Sequence, residues 1–381
     1  MRTLAILGMA ALAGLAMPAH AQKNKSKEPR RPKLEAGADT NDAMAYFHYA
    51  MQQETSWDKT ADALYWARKL DPSEPFFVFA HYSAFFNKQS PQWRSEYWDG
   101  AEYVVNSKEA KQLDTLQYQY MMADPYAHYS SNECRIPDWF QDLDDPLVLG
   151  TLLFDYGCYT QAADTLGKAI AKHPRAIAPH YLRARAFYAL NQWGNTTKEM
   201  QLIIDSLRAK EAKKVQHVYE SKEMYEYMLG LAYARNEDYH AAREAYGRAL
   251  TENLTFYPAH IALAEAAIAQ DDFDTALQEY EQAVQIDSAD AGLRTDYGTT
   301  LMRVAPPKSA EAEVQFRKAI ELAPLYAVPY YRLALALDAQ GKKAEAIEWY
   351  GKYLERAPRR ATNMIARSKE RMAALSTGAS K

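Results

Sequence analysis

The sequence lacks the residue patterns that usually carry chemistry. Its 381 residues contain no G-x-x-x-x-G-K or G-x-G-x-x-G loop for phosphates, no G-x-S-x-G nucleophile turn and no H-E-x-x-H zinc motif. The nine histidines are scattered, and acidic pairs fall at turns or helix starts, where helix capping explains them. We therefore predict no catalytic residues, no metal site, no cofactor and no enzymatic activity.

Glycine and cysteine are also scarce. Only 15 glycines occur, whereas 48% of the residues are hydrophobic, and this composition favours helices over strands. The two cysteines, Cys134 and Cys158, could pair in an oxidising compartment, and the closed loop would stabilise the fold by about 3 kcal/mol. Two free thiols that never meet are the alternative, because sequence does not give the distance between them.

Long hydrophobic runs are absent after the first 21 residues. Those residues combine a positive start at Arg2, an apolar stretch over 4–17 and small residues at Ala19 and Ala21, which is typical of a signal peptide cleaved after Ala21. An uncleaved membrane anchor is the alternative. Because no later segment approaches 18 apolar residues, we expect the processed chain not to be integral to a membrane. The A-x-A cleavage pattern favours a bacterial envelope, so we expect a periplasmic or secreted protein.

Residues 22–42 are polar, with basic residues set among prolines. Because this stretch offers little apolar surface to bury, we predict a disordered basic linker, with a patch for anionic lipid or nucleic acid as the alternative. Beyond residue 33 the chain carries 38 basic and 48 acidic residues, a net charge near −10. That charge repels phosphate backbones, and we therefore expect no nucleic-acid partner.

A period of 34 residues organises most of the remaining chain. Pairs that end in a small residue recur at this spacing, as Leu229-Gly230, Leu263-Ala264 and Tyr297-Gly298. A second pattern recurs at steps of 34, 36 and 34, as Ala242-Tyr246-Ala249, Ala276-Tyr280-Ala283, Ala312-Phe316-Ala319 and Ala346-Tyr350-Tyr353. Apolar residues three and four apart predict helices, and the small residues predict that a partner helix passes close by. Since one such helix pair cannot bury its own apolar face, the pairs must stack.

These residues resemble the tetratricopeptide repeat, which has this period and these small, aromatic and proline positions. The resemblance implies an all-α fold, a right-handed superhelical solenoid of antiparallel helix pairs. It divides the chain into a signal peptide (1–21), the linker (22–42), an N-terminal repeat-like helical region (43–142), an array of about six units with one degenerate (143–360), and a capping helix with a tail (361–381).

Within the N-terminal region, residues 76–140 hold 16 aromatic residues in 65 positions, about twice the 12% of the whole chain. A divergent pair of repeat-like helices with a bulky core explains this enrichment. A docking surface for a partner is the alternative, because Trp and Tyr dominate the energetics of interfaces. An enzymatic role, or binding of a glycan or peptidoglycan strand, would also have to reside here.

In this family the concave face, formed by the first helix of each pair, is the usual ligand surface, as the resemblance implies. We predict that it binds a peptide or a helix of an unidentified protein partner. The chain would then be a non-catalytic scaffold or adaptor. It could belong to a complex in the cell envelope. An ordinary wet surface is the alternative. The Lys/Asn/Arg clamp that some members use for chaperone carboxylates is absent. The predicted concave-face residues are Tyr181, Arg185, Tyr188, Tyr227, Arg235, Glu265, Arg303, Tyr331 and Asp338.

Overall fold

The computed structural model describes residues 28–52, 57–74, 77, 143–155, 157–212 and 221–377. Within these ranges every regular element is a helix, which confirms the predicted all-α class. Fifteen helices lie in the described part of the chain: α1 (Ala43–Met51), α2 (Trp57–Leu70), α3 (Pro146–Asp155), α4 (Tyr159–Lys172), α5 (Ile177–Ala189), α6 (Trp193–Glu211), α7 (Glu223–Arg235), α8 (Tyr239–Glu252), α9 (Tyr257–Ile268), α10 (Phe273–Ile286), α11 (Ala291–Arg303), α12 (Ser309–Leu322), α13 (Val328–Ala339), α14 (Lys343–Arg356) and α15 (Thr362–Ser376).

The small residues of the repeat explain how the two helices of a pair approach each other. A Cβ atom added to Gly230 on α7 would lie 2.4 Å from Cε1 of Tyr246 on α8, and one added to Gly298 on α11 would lie 2.6 Å from Cε1 of Phe316 on α12. The aromatic ring of the second helix therefore lies directly on the glycine of the first. The expectation of a close helix approach at these glycines is confirmed, although the rings fill space within their own pair rather than only between pairs.

A left-handed residue follows the first helix of five repeat units. Asn191, Glu237 and Asp271 have φ of 58°, 61° and 58°, and Gly157 and Gly341 have φ of 74°. Each lies in the short turn that follows a first helix. Only the two glycines adopt this conformation without a steric cost, because the other three residues carry a Cβ.

The chain falls into two compact units, and in the described part they comprise residues 143–272 and residues 28–77 with 273–377. The first unit contains α3 to α9. Its core joins apolar residues of α5 to α9, among them Met200, Met228 and Tyr246. A buried carboxylate also ties three of its helices together: Glu226 of α7 pairs with Arg208 of α6 at 2.7 Å and with Arg248 of α8 at 2.9 Å.

The second unit joins the N-terminal hairpin, α1 and α2, to the helices α10 to α15. Leu325, in the turn before α13, packs against the core of the hairpin. The backbone N–H of Arg359 donates to Oδ2 of Asp39 at 2.6 Å, and Arg360 pairs with Asp42 at 3.0 Å. The domain boundaries drawn from the sequence do not anticipate this association, because the paired residues lie more than 300 positions apart.

The described part of the predicted linker, residues 28–42, makes specific contacts in the second unit. The guanidinium of Arg31 lies 5.2 Å from the ring centre of Tyr46 and 5.0 Å from that of Trp66, and its Nε donates to the Tyr46 hydroxyl at 2.8 Å. Glu28 pairs with Lys69 at 2.8 Å. This stretch differs from the disordered linker that its composition predicts, because cation–π and ion-pair contacts take the place of apolar burial. Residues 22–27 lie outside the described residues.

Candidate functional site

The predicted concave-face residues lie on the first helices of the pairs, distributed over both units. Six belong to the first unit: Tyr181, Arg185 and Tyr188 on α5, Tyr227 and Arg235 on α7, and Glu265 on α9. Three belong to the second unit: Arg303 on α11, with Tyr331 and Asp338 on α13.

Four of the six residues in the first unit come together in one place. Nε of Arg235 donates to the hydroxyl of Tyr188 at 3.2 Å, which joins α7 to α5. Tyr227 packs against Tyr246 of α8, with ring centres 5.8 Å apart, and the charge of Glu265 acts on both phenols. We call Tyr188, Tyr227, Arg235, Tyr246 and Glu265 the phenol–arginine cluster.

Burial and charge set the protonation of this cluster. Burial raises the pKa of Tyr227 and of Tyr246, and the negative charge of Glu265 raises both further. Desolvation also raises the pKa of Glu265, while the positive charge of Arg235 opposes that rise. The raised pKa values keep the phenols of Tyr227 and Tyr246 neutral across the physiological range.

Arg185 lies one helical turn before Tyr188 on α5, between two aromatic rings. Its guanidinium carbon is 4.5 Å from the ring centre of Phe154 and 5.8 Å from that of Tyr181. Tyr181 in turn makes an edge-to-face contact with Tyr225, with ring centres 5.8 Å apart. We call Arg185, Phe154 and Tyr181 the stacked-arginine site. It holds a cation flat against aromatic faces, which leaves the in-plane N–H groups to donate hydrogen bonds.

In the second unit the three predicted residues are not gathered in this way. Tyr331 is 6% exposed and packs against Tyr350 and Tyr353, with ring centres 6.1 and 5.3 Å away. Asp338 accepts from Nη2 of Arg371 on α15 at 3.0 Å, so the final helix already satisfies this carboxylate. Arg303 lies over the ring of Phe273 at 5.1 Å.

Three predicted contact residues are buried, since Tyr188, Tyr227 and Tyr331 are 7%, 4% and 6% exposed. The rings of Tyr227 and Tyr331 belong to hydrophobic cores. The repeat register correctly places them on first helices but does not give their depth, because Tyr246 and Tyr350 of the second helices cover them. Their contribution to a surface is to position neighbours, not to present a ring.

Sequence reasoning missed Phe154, Tyr225 and Tyr246 as parts of the site. Tyr246 packs against Tyr227, and the charges of Glu265 and Arg235 both act on its phenol. Phe154 supplies the closer ring at Arg185. A signal existed for Tyr225, since it lies two residues before Tyr227 on the same aromatic helix, but nothing in its spacing points to Tyr181.

The cysteine prediction falls partly outside the described residues. Cys158 is buried at the start of α4 and is disulfide-bonded. Cys134, its predicted partner, lies outside the described residues, as does the aromatic-rich region 76–140 except for Phe77. In the described ranges no cluster of three or more His, Cys, Asp or Glu is arranged as a metal site. No helix in those same ranges is long and apolar enough to cross a membrane.

Comparison with known proteins supports the repeat assignment. Two tetratricopeptide-repeat family models match the chain, one over residues 227–291 and the other over 327–360. The solved C-terminal part of a TPR repeat-containing protein from Cytophaga hutchinsonii is similar in fold, with a TM-score of 0.52 and 18% identity over 61% of this chain and 88% of that one.

Other solved structures match at lower overall similarity. YrrB, a TPR protein with an unusual peptide-binding site, gives a TM-score of 0.43 and 18% identity over 54% of this chain and 99% of its own. MamA gives a TM-score of 0.40 and 17% identity over 45% and 93%. No curated protein matches the sequence. The all-helical pairs, the repeat register and the two family models lead to one conclusion: the chain contains tetratricopeptide repeats.

Proposed function

We propose that this protein is a non-catalytic scaffold or adaptor that binds peptides or helices of other proteins through the first-helix face of the first unit. The phenol–arginine cluster is the observation that carries this proposal. It places an exposed arginine, an exposed carboxylate and the buried Tyr188, whose hydroxyl accepts from that arginine, on three successive first helices. A positioned guanidinium and a carboxylate recognise backbone and side-chain groups of a peptide by hydrogen bonding.

We further propose that the protein acts in a bacterial cell envelope, within an envelope complex. The signal-peptide pattern of residues 1–21 and the disulfide at Cys158 support an oxidising compartment outside the cytoplasm. The test is N-terminal sequencing of protein recovered from the periplasmic and secreted fractions. A mature chain that begins at Gln22 is expected, whereas a chain that retains residues 1–21 in a reducing compartment would overturn this location.

Site-specific photo-crosslinking tests the binding role. A photoreactive residue replaces Glu265, which belongs to the cluster, and in a matched variant it replaces Glu244, an exposed glutamate on the second helix α8. We expect discrete crosslinked partners in envelope extracts from position 265 and none in common from position 244. If both positions capture the same proteins, or position 265 captures nothing while 244 does, the first-helix face is not the binding surface.

A second proposed role rests on the 16 aromatic residues between 76 and 140. Aromatic faces stack on sugar rings, so this region would bind a glycan or peptidoglycan strand, or would support an enzymatic function. Co-sedimentation of the full chain with purified cell-wall material separates this role from the first. Retention on the cell wall that is lost when Trp93 and Trp98 are replaced together by Ala would favour it, and recovery of the protein in the supernatant would exclude it.

A further inference from the structure

Arg185 makes no ion pair in the described part of the chain, unlike most arginines of the first unit. Most neighbouring arginines of the first unit pair with a carboxylate: Arg183 with Glu199, Arg208 and Arg248 with Glu226, and Arg243 with Asp272. No ion pair in the described part of the chain includes Arg185. Its Nε is buried and has no hydrogen-bond partner there.

The surroundings of Arg185 hold its guanidinium in a fixed orientation. Phe154 lies on it at 4.5 Å and Tyr181 at 5.8 Å, and Tyr181 is itself fixed by Tyr225 and by a contact from its hydroxyl to Sδ of Met224 at 3.5 Å. Stacking on rings compensates the charge of a guanidinium but satisfies none of its N–H donors, which lie in the plane of the group. A fixed fork of donors without an acceptor is the geometry that a carboxylate completes through two parallel hydrogen bonds.

We propose that the stacked-arginine site binds a side-chain carboxylate, an Asp or Glu, of an extended partner segment. This inference rests on the proposed protein-binding role and adds the chemistry of the partner to it. The neighbouring cluster extends the same surface, because Tyr188 follows Arg185 by three residues on α5 and so lies on the same helix face. A segment whose carboxylate meets Arg185 would therefore place its next residues against the Tyr188 hydroxyl and Arg235.

The absence of an ion pair at Arg185 in the described residues favours such a ligand. The cation of Arg185 lies against aromatic rings, so a carboxylate gains a charge-assisted contact there without displacing an existing ion pair. At Glu226, in contrast, two arginines already share a buried carboxylate, and an incoming acid would have to displace it.

The test is selection from a phage library of random 12-residue peptides on the immobilised full chain. The C-terminus of each peptide is fused to the coat protein, so only side-chain carboxylates can be selected. Three forms are compared: the wild type, Arg185→Gln, and Arg175→Gln as a matched control that removes the same charge from an exposed turn residue. Thermal unfolding of each variant verifies that the fold is retained.

We expect peptides enriched in Asp and Glu from the wild type and from Arg175→Gln, and loss of that enrichment from Arg185→Gln. A synthetic, C-terminally amidated peptide from the selection should bind Arg185→Gln about tenfold more weakly or worse, and its Glu→Gln version should lose a similar factor on the wild type. Arg185→Lys, which keeps the charge but not the planar fork, should restore only part of the affinity.

The outcomes separate this inference from the proposed function. Enriched peptides without an acidic bias, or an acidic bias that survives in Arg185→Gln, would overturn the carboxylate site and leave peptide binding intact. Failure to enrich any peptide, together with no crosslinks from position 265, would overturn the binding role itself.

Discussion

The ring of Tyr246 lies on Gly230, so close that a Cβ added to the glycine would be 2.4 Å from Cε1 of the ring. This contact between α7 and α8 is repeated between Gly298 and Phe316 in the second unit, where the corresponding distance is 2.6 Å. The repeat therefore requires a small residue at this position of the first helix, because the aromatic side chain of the second helix packs directly against it.

Replacing Gly230 by Ala should destabilise the first unit, although alanine is the better helix former. The Tyr246 ring is fully buried and has little room to shift, so we expect a loss of about 1–3 kcal/mol and a lower Tm by circular dichroism. The matched control is Gly247→Ala on α8, where an added Cβ meets nothing within 4 Å. That change should stabilise by up to about 1 kcal/mol, and a stabilising Gly230→Ala would contradict the packing explanation.

Substitutions at two of the left-handed turn residues should change the stability in opposite directions. Glu237 is exposed and has φ of 61°, so Glu237→Gly should relieve steric strain and raise stability by about 0.5 kcal/mol. Gly341 has φ of 74° with open space around it, so Gly341→Ala should cost about 1 kcal/mol through backbone strain alone. Tm values measured at one protein concentration check both signs. Two changes of the same sign would show that the left-handed conformation is not what matters at these turns.

The repeat register predicts the helix pairs and the close contacts at Gly230 and Gly298, because these depend on residues within about 34 positions of each other. It places Tyr188, Arg235 and Glu265 on first helices for the same reason. It does not predict that Tyr227 is covered by Tyr246, since helical periodicity gives the direction of a side chain and not its depth. The repeat period does not predict the contact between Asp39 and Arg359, because these residues lie 320 positions apart.

Glu226 makes a buried link among α6, α7 and α8. Its side chain is 2% exposed and accepts from Arg208 and Arg248. Glu226→Gln would leave two arginines facing a neutral amide, and we expect a loss of about 2 kcal/mol after allowing for the exposure of both guanidinium groups. The control, Glu244→Gln, alters a surface carboxylate that faces His240 at 3.8 Å and should change stability by less than about 0.5 kcal/mol. Equal Tm values for the two variants would mean that the link carries no net stability.

Glu313 should give the second unit a stability that is lost in acid. Burial alone would raise the pKa of this carboxyl, but hydrogen bonds from Lys342, Gln340 and Arg317 lower it to about 2. A carboxyl with a depressed pKa stabilises the fold above its unfolded pKa, near 4.5, and loses that effect as the pH falls toward 2. Glu313→Gln should therefore lower Tm at pH 7, by about 1–2 kcal/mol in stability, and should match the wild type near pH 2. A constant difference across this range would show that the ionised form is not the source.

Asp290 should show the opposite pH dependence in the same unit. It caps α11 by accepting from the backbone N–H of Leu293 at 3.0 Å, yet desolvation and the nearby Asp287 raise its pKa to about 6. Because the folded pKa lies above the ordinary value of 3.8, ionisation costs stability progressively as the pH rises from about 4 to about 6, and the cost is complete above that.

Asn caps helices as well as Asp does, so Asp290→Asn keeps the cap and removes only the charge. We expect the variant to equal the wild type near pH 4 and to exceed it by about 1 kcal/mol at pH 7.5, measured as the difference in Tm at each pH. Asp290→Ala separates the two contributions, because it removes the cap together with the charge and should be less stable than Asp290→Asn at every pH. If Asp290→Asn is the less stable protein at pH 7.5, the cap hydrogen bond depends on the charge, and desolvation does not dominate at this position.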